Sequence, residues 1–373
     1  MTAIAAKQAA PARSAPAREG LAIFGAGRAK EAGFESAQAL LDAFELPRYR
    51  LAQIYRSATK ELALSFDAMT SLPAALRRRL AERVRISSLR LVREAISDDK
   101  QTTKLLYALA DGNEVEAVLM RHRSGRTTAC ISSQAGCALR CDFCATGQGG
   151  FTRHLSALEI FDQALDVARR ARAEKRNLTN VVYMGMGEPF LNYDRVMDSV
   201  ALLNDAAGFN LGARHITIST AGVVPGIEKF TKAGIQVNLA ISLHAADDVL
   251  RTKLMPINKK WPIAQLMRAA RAYVARTHRK IFYEYVMLAG TNDSPDDARQ
   301  LADLLGGPLH HVNLIPYNAT DAPYSRSSPA AMRRFQAILR ERGVPSTLRH
   351  TMGDDIAAAC GQLRVDKQRG AFA

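Results

Sequence analysis

The chain is short of acidic residues, poor in cysteine and free of long apolar runs, and each shortage excludes something. Asp and Glu number 36 against 51 Lys and Arg, a formal net charge of +15 over 373 residues. Such an excess favours a polyanionic partner, and nucleic acid is the commonest soluble one. No apolar stretch approaches the roughly eighteen residues of a membrane span, so no membrane partner is expected. Five cysteines in a chain this long do not make a secreted disulfide framework and fit a reducing, cytoplasmic setting. A second Cys-x-x-Cys or a His-x-x-x-His pair is missing, so nothing supplies the other half of a structural zinc site. Nor does Gly185-Met186-Gly187 continue as a dinucleotide loop, because Phe190 stands where the third glycine belongs.

What is present is a knot of thiols. Three of the five cysteines fall in Cys137-Ala-Leu-Arg-Cys141-Asp-Phe-Cys144. Thiolate is the soft, anionic ligand that iron–sulfur clusters take. A [4Fe-4S] cube normally uses four cysteines, so three leave one iron open to a small chelator. The amino-acid end of S-adenosylmethionine (SAM) is such a chelator. Cys130 and Cys360 each read, on their own, as a small buried apolar residue. Cys360, however, sits in a small-residue stretch poorly suited to building a core, Ala357-Ala358-Ala359-Cys360-Gly361.

The expected organisation runs in five parts. Residues 1–19 form a disordered basic tail, rich in Ala, Pro, Lys and Arg, with Glu19 the first acidic residue. Residues 20–88 carry helical periodicity at Leu40, Leu41 and Phe44 and again at Leu76, Leu80 and Val84. Arg48, Arg50, Arg56 and Arg77 to Arg79 crowd the same stretch, which suits an RNA-binding accessory domain. Residues 89–126 alternate in type between turn signals and read as a small antiparallel linker sheet. From 127 to 343 the chain alternates strand and helix through six units, with strands near 128–133, 179–184, 215–220, 237–243, 281–288 and 312–316. Right-handed crossovers curl six such units into a partial (βα)6 barrel, an α/β fold open on one side. Residues 344–373 form a C-terminal segment bearing Cys360.

Active groups of such barrels gather at the C-terminal ends of the strands. There the sequence places the cluster loop, Gly187-Glu188, Ser219, Ser242-Leu243-His244 and Asn318. These hydroxyl, imidazole, amide and carboxylate groups suit a ribose, an adenine edge and an ammonium.

Ile131-Ser132-Ser133-Gln134-Ala135-Gly136, Gly185-Met186-Gly187-Glu188-Pro189 and Ala358-Ala359-Cys360-Gly361-Gln362-Leu363 together resemble the radical SAM adenine carbon-2 methyltransferases of ribosomal and transfer RNA. The resemblance runs from about Leu21 to Arg364. It implies Cys137, Cys141 and Cys144 as cluster ligands, and Gly187, Glu188, Ser219, Ser242, Leu243, His244 and Asn318 as SAM contacts. It further implies Cys360 as methyl carrier, Cys130 as the thiol that resolves a covalent protein–RNA adduct through a disulfide, and Glu116 as the base. On pattern alone Glu116 is an outward carboxylate of a half-polar strand. Two SAM molecules per turnover, 23S rRNA and tRNA as substrates, a flavodoxin-like electron donor and a monomeric state follow from the same resemblance. One departure stands out: Thr351-Met352-Gly353 carries Met where the family pattern has Arg before the glycine. The sister carbon-8 methyltransferases share the cluster loop and both extra cysteines, and a non-catalytic iron–sulfur or zinc RNA-binding module is the alternative of another class.

Overall fold

The computed structural model describes residues 19–306 and 309–364. Apart from Glu19, the expected basic tail lies outside the described residues, as does the chain after Arg364.

Helices α1 (Glu19–Glu31), α2 (Ala37–Ala43), α3 (Arg48–Thr59) and α4 (Ala74–Arg83) occupy the segment with helical periodicity. Their apolar faces, including Leu40, Ile54, Leu76 and Leu80, join one core with the rest of the chain. Polar contacts fix the docking. Arg28 on α1 grips Asp162 with a forked pair of bonds at 2.6 and 2.8 Å, and Asp162 also accepts from the backbone and hydroxyl of Ser88. Both charges are buried, so removing either partner would cost about 3–5 kcal/mol.

Next come β1 (Arg90–Ile96), β2 (Thr102–Ala108), β3 (Glu114–Arg121) and β4 (Thr127–Cys130), all antiparallel neighbours. The short β5 (Gln134–Gly136), α5 (Ala145–Gln148) and β6 (Phe151–His154) follow, with β5 and β6 paired as a separate two-stranded sheet. The alternating part then runs α6 (Ala157–Ala173), β7 (Asn180–Tyr183), α7 (Tyr193–Asn204), β8 (Ile216–Thr220), α8 (Val224–Ala233) and β9 (Asn238–Ser242). It continues α9 (Asp248–Leu254), α10 (Ile263–Thr277), β10 (Ile281–Met287), α11 (Pro295–Leu305), β11 (His310–Pro316), α12 (Pro329–Glu341) and β12 (Ser346–Leu348). Capping boxes start α6, through Ser156 and Glu159, and α11, through Ser294 and Asp297.

The sheet order is β1-β2-β3-β4-β7-β8-β9-β10-β11-β12, parallel from β4 onward. The six expected strand–helix units are those led by β4, β7, β8, β9, β10 and β11. Two features extend that plan. The antiparallel strands are continuous with the barrel sheet through the β3–β4 pairing, and β12 adds a short parallel edge strand just before the segment that carries Cys360. Among the described residues no helix is long and apolar enough to cross a membrane.

Candidate active site

The three cysteines expected to hold the cluster sit on a turn strung between β5 and α5. The N–H of Cys137 donates to the Gly150 carbonyl at 2.7 Å, and that of Asp142 to Leu254 on α9 at 2.9 Å, so both flanks are anchored. Gly136 has φ +78°, and a Cβ there would run into the Gly150 carbonyl oxygen, so only glycine fits. Burial pushes the Cys137 thiol up to about 12 and the Cys141 thiol well above the ordinary range. A bare thiolate is therefore disfavoured at these positions, and a cationic metal is what would hold the sulfurs ionised.

These cysteines line one cavity together with Gly187, Glu188, Ser219, Ser242, His244 and Cys360. Glu188 is buried, and its carboxylate accepts from the Thr220 hydroxyl and the Ala221 N–H, each at 2.7 Å, and from the Phe190 N–H at 3.0 Å. A carboxylate has about four acceptor positions, which leaves one for a ligand. Desolvation, opposed by those three donors, pushes its carboxyl up to about 7. His244 is held at φ +61°, and its Nδ1 accepts from the Val286 N–H at 3.0 Å. A backbone N–H can only donate, so the ring proton sits on Nε2. Burial lowers the imidazole to about 3, which keeps that ring neutral. The hydroxyls of Ser219 and Ser242 line the cavity without a partner among the described residues.

Two expected contacts, Leu243 and Asn318, lie off this cavity. Leu243 does not line the cavity; its side chain is in the core, and its carbonyl accepts from buried Arg251. Asn318 lines an adjoining compartment instead, and donates to the Cys360 carbonyl at 3.1 Å. The nearest atoms to a Cβ on Gly187, which has φ +102°, would be the side chain of Gln134, so this glycine serves protein packing as well as backbone conformation.

The adjoining compartment brings Cys130 and Cys360 together from β4 and the C-terminal segment, with Arg349 and Met352 beside them. Cys360 keeps solvent access and lines both compartments, whereas Cys130 is buried. Burial pushes the Cys130 thiol up to about 12, with Cys360 adding to the shift. Glu116 is not the outward carboxylate its strand pattern suggests. It is 4% exposed, lies 3.3 Å from Lys104 and accepts from the Arg364 N–H at 2.9 Å.

Sequence reasoning passed over several neighbours. Glu284 lines the cavity from β10, accepts from Asn313 at 2.8 Å and lies 4.0 Å from Arg349. A lone carboxylate within the apolar run Ile281–Met287 was the available signal. Phe143, inside the cysteine run, packs edge-on against His244 with centroids 4.8 Å apart. Arg251 is fully buried and braces the tips of β8 and β9.

The donor set fits a [4Fe-4S] cluster: three thiols on one tight loop, opening on a cavity with polar walls. Among the described residues no three His, Cys, Asp or Glu side chains are grouped to hold one metal ion, whereas a cube spreads its ligands over separate irons.

Comparison with known proteins agrees with this chemistry. The radical SAM superfamily matches residues 131–305. A probable dual-specificity RNA methyltransferase RlmN of Chloroflexus aurantiacus is 48% identical over 336 residues, covering 87% of this chain and 89% of that protein. The corresponding protein of Symbiobacterium thermophilum is 46% identical, with 87% of each chain covered. The crystal structure of a radical SAM methyltransferase from Sphaerobacter thermophilus superposes with a TM-score of 0.84 at 50% identity, over 87% of this chain and 95% of that one. The chain therefore belongs to the RlmN family of radical SAM RNA methyltransferases.

Proposed function

We propose that this protein methylates carbon 2 of an adenine at the peptidyl transferase centre of 23S rRNA, and of an anticodon-loop adenine in tRNA. The observation that carries the reading is the position of Cys360, which lines both the compartment of the three cluster cysteines and that of Cys130. A methyl carrier must visit a donor and an acceptor, and a resolving thiol must reach it.

Carbon 2 of adenine is electron-poor and unactivated, so direct polar transfer from SAM does not reach it. Cys137, Cys141 and Cys144 would hold the cluster. Gly187, Glu188, Ser219, Ser242 and His244 would hold SAM, with Leu243 acting through its backbone and Asn318 from the neighbouring wall. Bound there, cluster and SAM supply a methyl group and, after one-electron reduction, a radical able to take hydrogen from an unactivated carbon. Two SAM molecules are consumed per turnover, and a flavodoxin-like carrier suits the reduction.

The remaining steps belong to the chain. The Cys360 sulfur accepts the methyl group as a nucleophile; although the residue is exposed, desolvation by the walls around it works against its thiolate, and nearby Arg349 favours it. The methyl carbon, having given up one hydrogen atom, joins carbon 2 and links protein and RNA. Glu116 takes the carbon-2 proton, and the electron left over on the adduct returns to the electron carrier. Cys130 attacks the Cys360 sulfur as the sulfur–carbon bond breaks, forming a disulfide, and the released carbon takes the thiol proton to become the methyl group of the free base. A monomer working in the cytoplasm fits these roles, because one chain carries all the groups named.

The test is nucleoside mass spectrometry after anaerobically reconstituted protein, SAM and a reductant meet unmodified rRNA or tRNA. 2-Methyladenosine from both RNAs is the expected result. 8-Methyladenosine would reassign the chain to the sister activity, and no methyladenosine from iron-loaded protein would leave an RNA-binding module.

A further inference from the structure

Lys104 is absent from every role above, yet it is nearly buried and touches two of the reacting elements. It sits on β2 opposite Val118 of β3, and Val118 in turn pairs with Cys130 of β4. Directly paired residues, and residues two apart on one strand, project from the same face of a sheet. Lys104, Glu116, Val118 and Cys130 therefore share a face, which Val118 and Cys130 present to the compartment shared with Cys360. The ammonium of Lys104, with its side chain 11% exposed, lies 3.3 Å from Glu116 Oε1. It also donates to the carbonyl of Ala357, three residues before Cys360, at 3.2 Å. Around it the β1–β2 hairpin clasps the same segment: the Asp98 N–H donates to Asp355, and Gly353 packs on Thr102.

We infer that Lys104 is a positioning residue for the methyl transfer, holding the Glu116 carboxylate ready as base and tying it to the segment that carries Cys360. The inference rests on the proposed roles of Glu116 and Cys360. A lysine suits the task because one ammonium offers three donors and can bridge a carboxylate and a carbonyl together. The groups facing Glu116 are few. Lys104 from β2 and Arg93 from β1 favour its charged form, as does the Arg364 N–H, while burial opposes it and prevails. Of these, Lys104 is the largest favourable influence.

Loss of Lys104 leaves burial less opposed, so the Glu116 carboxyl rises further and the base is protonated over a wider acid range. Single-turnover methylation would be followed from about pH 6 to pH 9 for the reconstituted full chain and for Lys104→Met, Lys104→Arg and Glu116→Gln. Circular dichroism and iron content would show that each is folded. Lys104→Met should lose at least about tenfold at the acid end of that range and regain most of it at the alkaline end, its acid limb displaced upward. Lys104→Arg should keep the original limb. A loss equal at every pH, or an unmoved limb, would overturn the inference while leaving the base assignment intact, provided Glu116→Gln is inactive. An active Glu116→Gln would instead remove the base assignment, and the role of Lys104 with it. Should Lys104→Met not fold, Lys104→Gln, which keeps a donor for Ala357 but no charge, reads the same limb.

Discussion

The backbone N–H of Ala145 donates to the carbonyl of Gly361 at 2.8 Å. One residue before each partner stands a cysteine, Cys144 and Cys360. The Thr146 hydroxyl on the Leu363 carbonyl extends the same seam. The C-terminal segment is thus stitched to the start of α5, and Cys360 is held within reach of the cluster loop.

That placement separates the two extra cysteines by experiment. Cys360→Ala should lose methylation by at least about 10³-fold, as removal of a nucleophile typically does, while SAM cleavage persists. Cys130→Ala should instead accumulate a protein–RNA adduct, visible as a nuclease-sensitive band on a denaturing gel. Clean release of methylated RNA by the Cys130 variant would end its resolving role.

Glu188 predicts a pH effect with two opposite signs. Its carboxyl is raised to about 7 in the folded, ligand-free protein, so it binds a proton more tightly there than when unfolded. Its contribution to stability is present at acid pH and lost as pH rises through about 7. SAM binding runs the other way, because only the carboxylate attracts the ammonium. Affinity should fall about tenfold per unit below that point. Calorimetric titration of SAM, with thermal melts in its absence, checks both; a flat affinity across the range would mean that the ammonium binds elsewhere.

The sequence windows for the six leading strands agree with the structure because parallel strands, covered on both faces, read as continuous apolar runs. Short elements were less visible. Strands β5 and β12 span three residues each, too few for periodicity to register. The chemistry-bearing residue types were legible at the strand ends, but their partners were not, since register between strands is set by tertiary packing. Alternation alone makes Glu116 solvent-facing; only the crossing of Arg364 and the reach of Lys104 explain its burial. Leu243 likewise reads as a contact, and only the structure shows its side chain in the core and its carbonyl accepting from Arg251.

Gly136 should be intolerant of even one added carbon. Its positive φ strains any other residue, and a Cβ would meet backbone that cannot swing aside. Gly136→Ala should cost about 1–3 kcal/mol, with the strain concentrated at the entrance to the cluster loop. Iron bound per chain after reconstitution should drop before secondary structure does. Full iron loading in that variant would show that the hairpin can shift without moving Cys137.

Arg251 tests whether the strand tips need a fork or only a charge. It is wholly buried, and its guanidinium donates to the carbonyls of Leu243, Ala221 and Ser242 at 3.1, 2.8 and 3.2 Å and to Asn258 at 2.7 Å. Those carbonyls lie at the ends of β8 and β9, beside Ser219, Ser242 and His244. Burial lowers the guanidinium to about 10, which still leaves it charged at neutral pH. Arg251→Met would strand several buried carbonyls and should cost about 3–5 kcal/mol in urea unfolding. Arg251→Lys restores charge but cannot reach four acceptors with a single ammonium. It should therefore recover part of the stability while SAM binding stays weak, because the tips of β8 and β9 are no longer held at their spacing. Equal SAM affinity for the lysine variant and the native chain would make charge, not geometry, the contribution of this residue.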